Sequence, residues 1–261
     1  MRKLIPILIA ALVLITFAGC DRQDAAPAAT GYVPGQTVEA YNYVHGGYVG
    51  RAVVTTNSDG SMTAELDEAF LPHTLAIVDM DAAEWNENNT AYYVQRNRQV
   101  RVAKYIRYNG TNYTGVTVGS ALSYVASDDQ GNPVGGTDLE MIIIRNEANM
   151  ATYWSNIGDG KFEIMTEFGG TPIPVTTTSY GSVYKRGSTY WVVDGALGWP
   201  GNIEAVEQAA VEHGLSYGID EMVRGEENLW RLADAVTGAT LSDFPDYFAL
   251  IQTASARLKT R

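Results

Sequence analysis

The chain has 261 residues, 46% of them hydrophobic, and carries 18 Lys+Arg against 30 Asp+Glu for a formal net charge of −12. That acidity excludes a nucleic-acid partner and argues against adhesion to anionic lipid headgroups, since both require a basic surface. A single cysteine excludes an internal disulfide and a Cys-based metal cluster, while the apolar content suffices for a sizeable core.

Residues 1–19 read as a signal peptide. Arg2 and Lys3 form a short basic start, Leu4 to Phe17 is apolar without charge, and Ala18-Gly19 ends it with small residues. The apolar stretch is short for a spanning helix, which needs about 20 residues. Phe17-Ala18-Gly19-Cys20 resembles a bacterial lipobox, with Phe17 where Leu is usual. That resemblance implies a lipid on Cys20, which becomes the first mature residue, and a place in the bacterial cell envelope facing the periplasm or cell exterior. Several acyl chains on one cysteine hold a protein stably at a membrane. A plain signal peptide or an uncleaved membrane anchor is the alternative. Asp21 after the cysteine resembles an inner-membrane retention signal of enteric bacteria. Residues 20–37 read as the lipidated cysteine and a flexible tether, with Pro27, Gly31 and no apolar period in the early part.

The region 38–261 divides into three parts. In the first, about 38–71, Tyr43 to Thr56 reads as a strand after a glycine-rich start, Asn57-Ser58-Asp59-Gly60 as a turn, and Ser61 to Leu66 as the return strand. Residues 72–170 are rich in Tyr, Thr, Val and Asn. Strands are expected at 92–108, 114–126 and 139–145, separated by turns at Asn109-Gly110, Asp129 to Asn132 and Gly158-Asp159-Gly160. In the third part, 171–261, residues 182–185 and 189–193 flank Arg186-Gly187-Ser188 as a hairpin. A helix is expected from Ile203 to about Glu212, stopped by Gly214, and another over Asp220 to Ala233. Ser242-Asp243-Phe244-Pro245 reads as a helix start, with Ser242 as cap and Phe244, Tyr247, Phe248, Ile251, Ala254 and Leu258 at helical period.

Between the last two helices stands Asp234-Ala235-Val236-Thr237-Gly238-Ala239-Thr240. It resembles the flavinylation motif Asp-x-x-(Ser/Thr)-Gly-Ala-Thr of the FMN-binding domain family. Average composition produces such a pattern by accident in roughly one per few thousand chains of this length. The resemblance implies covalent FMN on Thr240, installed by a flavin transferase with FAD as donor. It also implies roles for Asp234, Thr237, Gly238 and Ala239 in recognition and in leaving the backbone accessible. Hairpin, helix, motif and closing helix follow the family's order over about 38–71 and 171–261. Residues 72–170 have no counterpart in a minimal domain and form a β-rich insertion or a degenerate second module. The fold class expected is α+β, with antiparallel hairpins or sheet and a few helices packed against it.

A helix start beside Thr240 would offer free amides and a favourable dipole to a phosphate. Trp199 and Trp230 share a segment with the motif and are candidates to stack on a flat isoalloxazine, although each also reads as an ordinary core tryptophan. His45, His73 and His213 lack metal spacing and read as surface or capping residues, so no metal site is assigned. No catalytic residue is assigned either, because no nucleophile elbow or triad order is present.

Three functions remain open: a membrane-held flavoprotein passing electrons between membrane redox partners, a surface lipoprotein with a binding role and a vestigial motif, and a flavin-dependent reductase of a small acceptor.

Overall fold

The first strand, β1 (Gln36–Val44), pairs antiparallel with β2 (Tyr48–Thr56), and β2 with β3 (Met62–Phe70). The computed structural model that shows this describes residues 31–261 except Gly195 and Asp234. The expected signal peptide, Cys20, most of the expected tether and Asp234 therefore lie outside the described residues. No described helix is long and apolar enough to cross a membrane.

The single strand expected over 43–56 is broken by a turn at His45–Gly47. His45 (φ 52°) and Gly46 (φ 62°) adopt the left-handed backbone that a tight hairpin requires. The expected tether also ends earlier than residue 37: Tyr32 bridges to Thr260, and the Val33 amide donates to the Lys259 carbonyl at 3.0 Å.

Side chains alternate across β1–β3, so this sheet has two apolar faces. Ala40, Ala52, Val54 and Leu66 face a core completed by the C-terminal part of the chain, whereas Tyr41, Val49 and Ala69 face a core built from residues 70–183.

The second core begins with α1 (Pro72–Leu75), then the hairpin of β4 (Thr90–Gln95) and β5 (Arg98–Ala103). A five-stranded sheet contains β6 (Tyr105–Tyr108), β7 (Thr111–Val118) and β8 (Ala121–Ala126). The stretch expected as strand at 139–145 is instead α2 (Leu139–Ile143), followed by an unforeseen α3 (Glu147–Gly158). Side-chain caps decide this against the β-branched run. Asp138 accepts the Glu140 amide and Asn146 accepts the Asn149 amide. Strands β9 (Phe162–Met165) and β10 (Ile173–Pro174) complete the sheet in the order β10-β9-β6-β7-β8.

The hairpin expected around residues 186–188 does not form. Residues 183–185 run along β3: Phe70 donates to the Val183 carbonyl at 3.2 Å and Lys185 to the Glu68 carbonyl at 2.8 Å. Helix α4 (Gly198–His213) begins earlier than Ile203 and stops where Gly214 takes φ 84°. The helix expected over 220–233 is a small sheet of β11 (Met222–Arg224), β12 (Trp230–Leu232) and β13 (Ala235–Val236). Glu227 (φ 56°) and Asn228 (φ 61°) make its turn in a conformation a helix cannot contain. Helix α5 (Phe244–Ser255) closes the first core with Phe244, Phe248, Ile251 and Ala254.

Glu207 of α4 fastens that helix to the edge of β3. It accepts the Leu66 amide at 2.5 Å and pairs with Arg186, whose guanidinium also donates to the Leu66 carbonyl at 2.8 Å. Burial raises the Glu207 carboxyl from 4.5 to about 7, opposed by the Leu66 amide and by Arg186. A raised folded-state value means the folded protein favours the proton. Its contribution is whole below the ordinary glutamate value and is lost as pH rises through about 7. Resistance to urea is therefore expected to fall over this window. Glu207→Gln, which keeps an acceptor for Leu66, should flatten the fall by on the order of 1–3 kcal/mol. Equal pH slopes for the two proteins would refute the assignment; Asp67, raised by burial to about 6, sustains part of any slope that remains.

Candidate functional site

The motif folds into its shape for local reasons. The Thr237 amide and hydroxyl both donate to the Trp230 carbonyl at 2.9 Å, and the Thr237 Oγ1 accepts the Ala239 amide at 3.2 Å. Gly238 has φ 80°, a left-handed conformation that strains any residue with a Cβ. Ala239 is fully buried in the first core, and its carbonyl accepts the Trp230 amide at 2.9 Å. Thr237, Gly238 and Ala239 thus turn the chain tightly, and the next residue, Thr240, emerges at the wall of a cleft.

That cleft has a volume of about 920 Å³ and draws its lining from both cores. Thr240, Ser242 and Asp243 stand on one side with Arg224 of β11. Tyr48, Tyr190, Trp191 and Trp199 supply aromatic surface. His73, Tyr93 and Arg96 come from the 72–170 segment.

Asn202 on the second turn of α4 positions Thr240. Its Oδ1 accepts the Thr240 amide at 2.6 Å, the Thr240 hydroxyl at 3.1 Å and the Leu241 amide at 3.0 Å, while its Nδ2 donates to the Gly198 carbonyl at 2.6 Å. These bonds engage the amides of Thr240 and Leu241, while helix α5 itself begins farther on, at Phe244. Ser242 is not the cap; Asp243 holds that position and makes no capping bond through its side chain. The positive group at Thr240 is instead Arg224, which donates to the Thr240 carbonyl at 2.8 Å.

The two candidate tryptophans differ in placement. Trp199 lines the cleft although its ring is almost wholly buried. Trp230 stacks on Phe244 with centroids 5.5 Å apart and donates its Nε1–H to the Leu241 carbonyl at 2.6 Å, which holds the loop after Thr240 in place. Trp191, not singled out in the sequence, is half-exposed at the cleft with φ 44°, and its carbonyl accepts the Trp199 amide at 3.0 Å.

His45 and His73 also border the cleft rather than standing free. His45 Nδ1 pairs with Asp243, and His73 Nδ1 lies 2.8 Å from Glu140. His213 is in the last turn of α4.

Beneath the aromatic surface lies an ion pair that nothing in the sequence pattern announces. Lys185 and Glu68, 2% and 0% exposed, are directly paired, and the Tyr247 hydroxyl donates to the second Glu68 oxygen at 2.5 Å. Burial pushes the Lys185 ammonium down from its ordinary value, against the opposing pull of Glu68. Burial, with the neighbouring Tyr190 hydroxyl at 2.9 Å, pushes the Tyr48 phenol well up, so it stays neutral.

No family model, no curated protein and no solved structure matches the chain, and of the motif residues only Thr240 lines the cleft.

Proposed function

We propose that the chain is an electron-relaying flavoprotein of the bacterial cell envelope, with FMN joined through a phosphoester to Thr240 and a lipid on Cys20. The observation that carries this reading is the position of Thr240: the hydroxyl of the last motif residue borders an aromatic-walled cleft. The residues fit the group. A volume of about 920 Å³ lies within the roughly 300–1,000 Å³ of cofactor and ligand sites. Arg224 supplies a cation within reach of a phosphate on Thr240. Tyr48, Tyr190, Trp191 and Trp199 offer surfaces for a flat ring. The chemistry supplied by bound FMN is the exchange of one or two electrons, which joins a two-electron donor to a one-electron acceptor.

Attachment would join Thr240 Oγ1 to the phosphorus of the FMN half of FAD, with AMP as leaving group, under the action of a flavin transferase. Asn202 presents the hydroxyl, and exposed Gly238 would leave room beside it, whereas Ala239, expected to keep the backbone accessible, is buried and with Thr237 shapes the turn. A covalent bond suits a site outside the cytoplasm, where a dissociable cofactor is lost by dilution. The lipid and tether would raise the effective concentration of the carrier near membrane redox partners. Its acidic surface would favour basic patches on them.

Stopped-flow reduction of the flavinylated protein by membranes of the native host tests the proposal. Reduction is expected, with a rate that falls as ionic strength rises. A flavin that membrane-derived electrons cannot reduce at any salt concentration would overturn the relay. One observation favours a second reading, a flavin-dependent reductase of a small acceptor: His73, Gln95 and Arg96 add polar groups to the cleft from the 72–170 segment. Turnover with a defined acceptor distinguishes it.

A further inference from the structure

The Lys185–Glu68 pair asks for an explanation that stability does not supply. Taking two charges out of water costs several kcal/mol per ion, and buried pairs are often replaceable by apolar residues without loss. Here the pair stands beside the cleft, and its orientation is unequal. Lys185 lines the cleft, whereas Glu68 does not and lies on β3 behind it. The Glu68 charge is shared with the hydroxyl of Tyr247, which also lines the cleft, so Lys185 is not the sole partner of the carboxylate. The Lys185 Nζ stands 3.3 Å from the Tyr48 ring centroid, 4.3 Å from that of Tyr190 and 5.7 Å from that of Trp199. All three rings line the cleft. Trp199 is three residues from Asn202, which holds Thr240, so the ammonium and the Thr240 hydroxyl border one cavity.

We propose that Lys185 is the electrostatic group that sets the redox poise of a flavin ring in this cleft, by stabilising the negative charge the ring acquires on reduction. The inference rests on the flavin reading above. Uptake of two electrons from a donor and one proton from water leaves the ring with one negative charge. A fixed ammonium in a low-dielectric site meets that charge without reorganisation. Glu68 keeps Lys185 charged while the ring is oxidised, and the backbone bond from Lys185 to the Glu68 carbonyl locks the two side by side. Tyr48, Tyr190 and Trp199 hold the ammonium against their faces and separate it from water.

The test is a dye-coupled reductive titration with dithionite of the full-length protein, flavinylated by co-expression with a transferase. Three variants are compared with the native protein at one pH: K185M/E68Q, K185Q/E68Q and K185R. The double variants remove both charges, so no unpaired ion is buried, and they keep an acceptor for Tyr247. Each is expected to disfavour reduction at least tenfold, about 30 mV for a two-electron couple, while K185R stays near the native potential. Loss of packing alone would not spare K185R and move both neutral pairs in the same direction. A folded, flavin-loaded double variant with the native potential would overturn the role of Lys185 and leave the flavin reading standing. A native protein that acquires no covalent flavin beside an active transferase would overturn both.

Discussion

Thr240→Ala is expected to abolish the covalent flavin proposed at this residue and to leave the fold in place. The hydroxyl is the only group the substitution removes beyond a methyl, and Thr240 is half-buried at the cleft wall. Its one side-chain bond goes to Asn202 Oδ1, which keeps two amide donors without it. The stability cost is therefore that of one partly exposed hydrogen bond, about 0.5–1.5 kcal/mol. Labelling, in contrast, is expected to fall to nothing, because the substitution removes the oxygen to which the phosphoester is proposed to form. Co-expression of the full chain with a flavin transferase, followed by ultraviolet illumination of denaturing gels, reads the result. Fluorescence that persists in Thr240→Ala would place the flavin elsewhere. A dark native protein beside an active transferase would favour a vestigial motif and a binding role.

The second large effect is expected at Asn202. Asn202→Ala strips the partner from the Thr240 amide, the Leu241 amide and the Gly198 carbonyl together. The Leu241 amide is buried, and Asn202 itself is 1% exposed, so water does not readily replace what is lost. Each unsatisfied buried group costs about 1–3 kcal/mol, and the sum here is expected at about 2–4 kcal/mol after relaxation. Urea denaturation measures it. The variant should also be labelled more slowly than the native protein at equal folded fraction, because Thr240 is no longer held against α4. Asn202→Asp, which keeps the acceptor oxygens but buries a charge, should fall between the two in labelling. A variant with native stability and native labelling would show that the Trp230–Leu241 and Arg224–Thr240 bonds alone hold the loop.

Much of the frame was legible along the chain because its causes are local. The α5 start at Phe244-Pro245, the Gly214 stop and the Asn57–Gly60 turn each depend on residues within one or two turns of each other. The tight turn at Thr237, Gly238 and Ala239 has local causes as well, since these residues bond or pack within their own loop and against strand β12. The mixed α+β class with antiparallel sheets follows from such signals in series.

Tertiary pairing decided the rest. Residues 222–232 carry apolar side chains that suit a helix as well as a strand, and the left-handed turn at Glu227-Asn228 with pairing of Met222 to Leu232 makes them a hairpin. Residues 139–145 contain the β-branched run Ile142–Ile144, yet Asp138 also accepts the Tyr124 amide, which fixes a cap there and tips the segment to helix. Lys185 reads as the last residue of a hairpin strand before the turn at Arg186-Gly187-Ser188. It is buried only because its backbone runs along β3, more than a hundred residues away in the chain, and Glu68 waits opposite. Asn202 stands just before the helix expected from Ile203 and has no assigned role until the loop at Thr240 is brought to it across 38 positions. Periodicity and turn chemistry report what a short window of chain can satisfy by itself. The partners of Lys185, Asn202 and the cleft walls are chosen by packing two cores against opposite faces of one sheet, and no window of the sequence contains both members of those pairs.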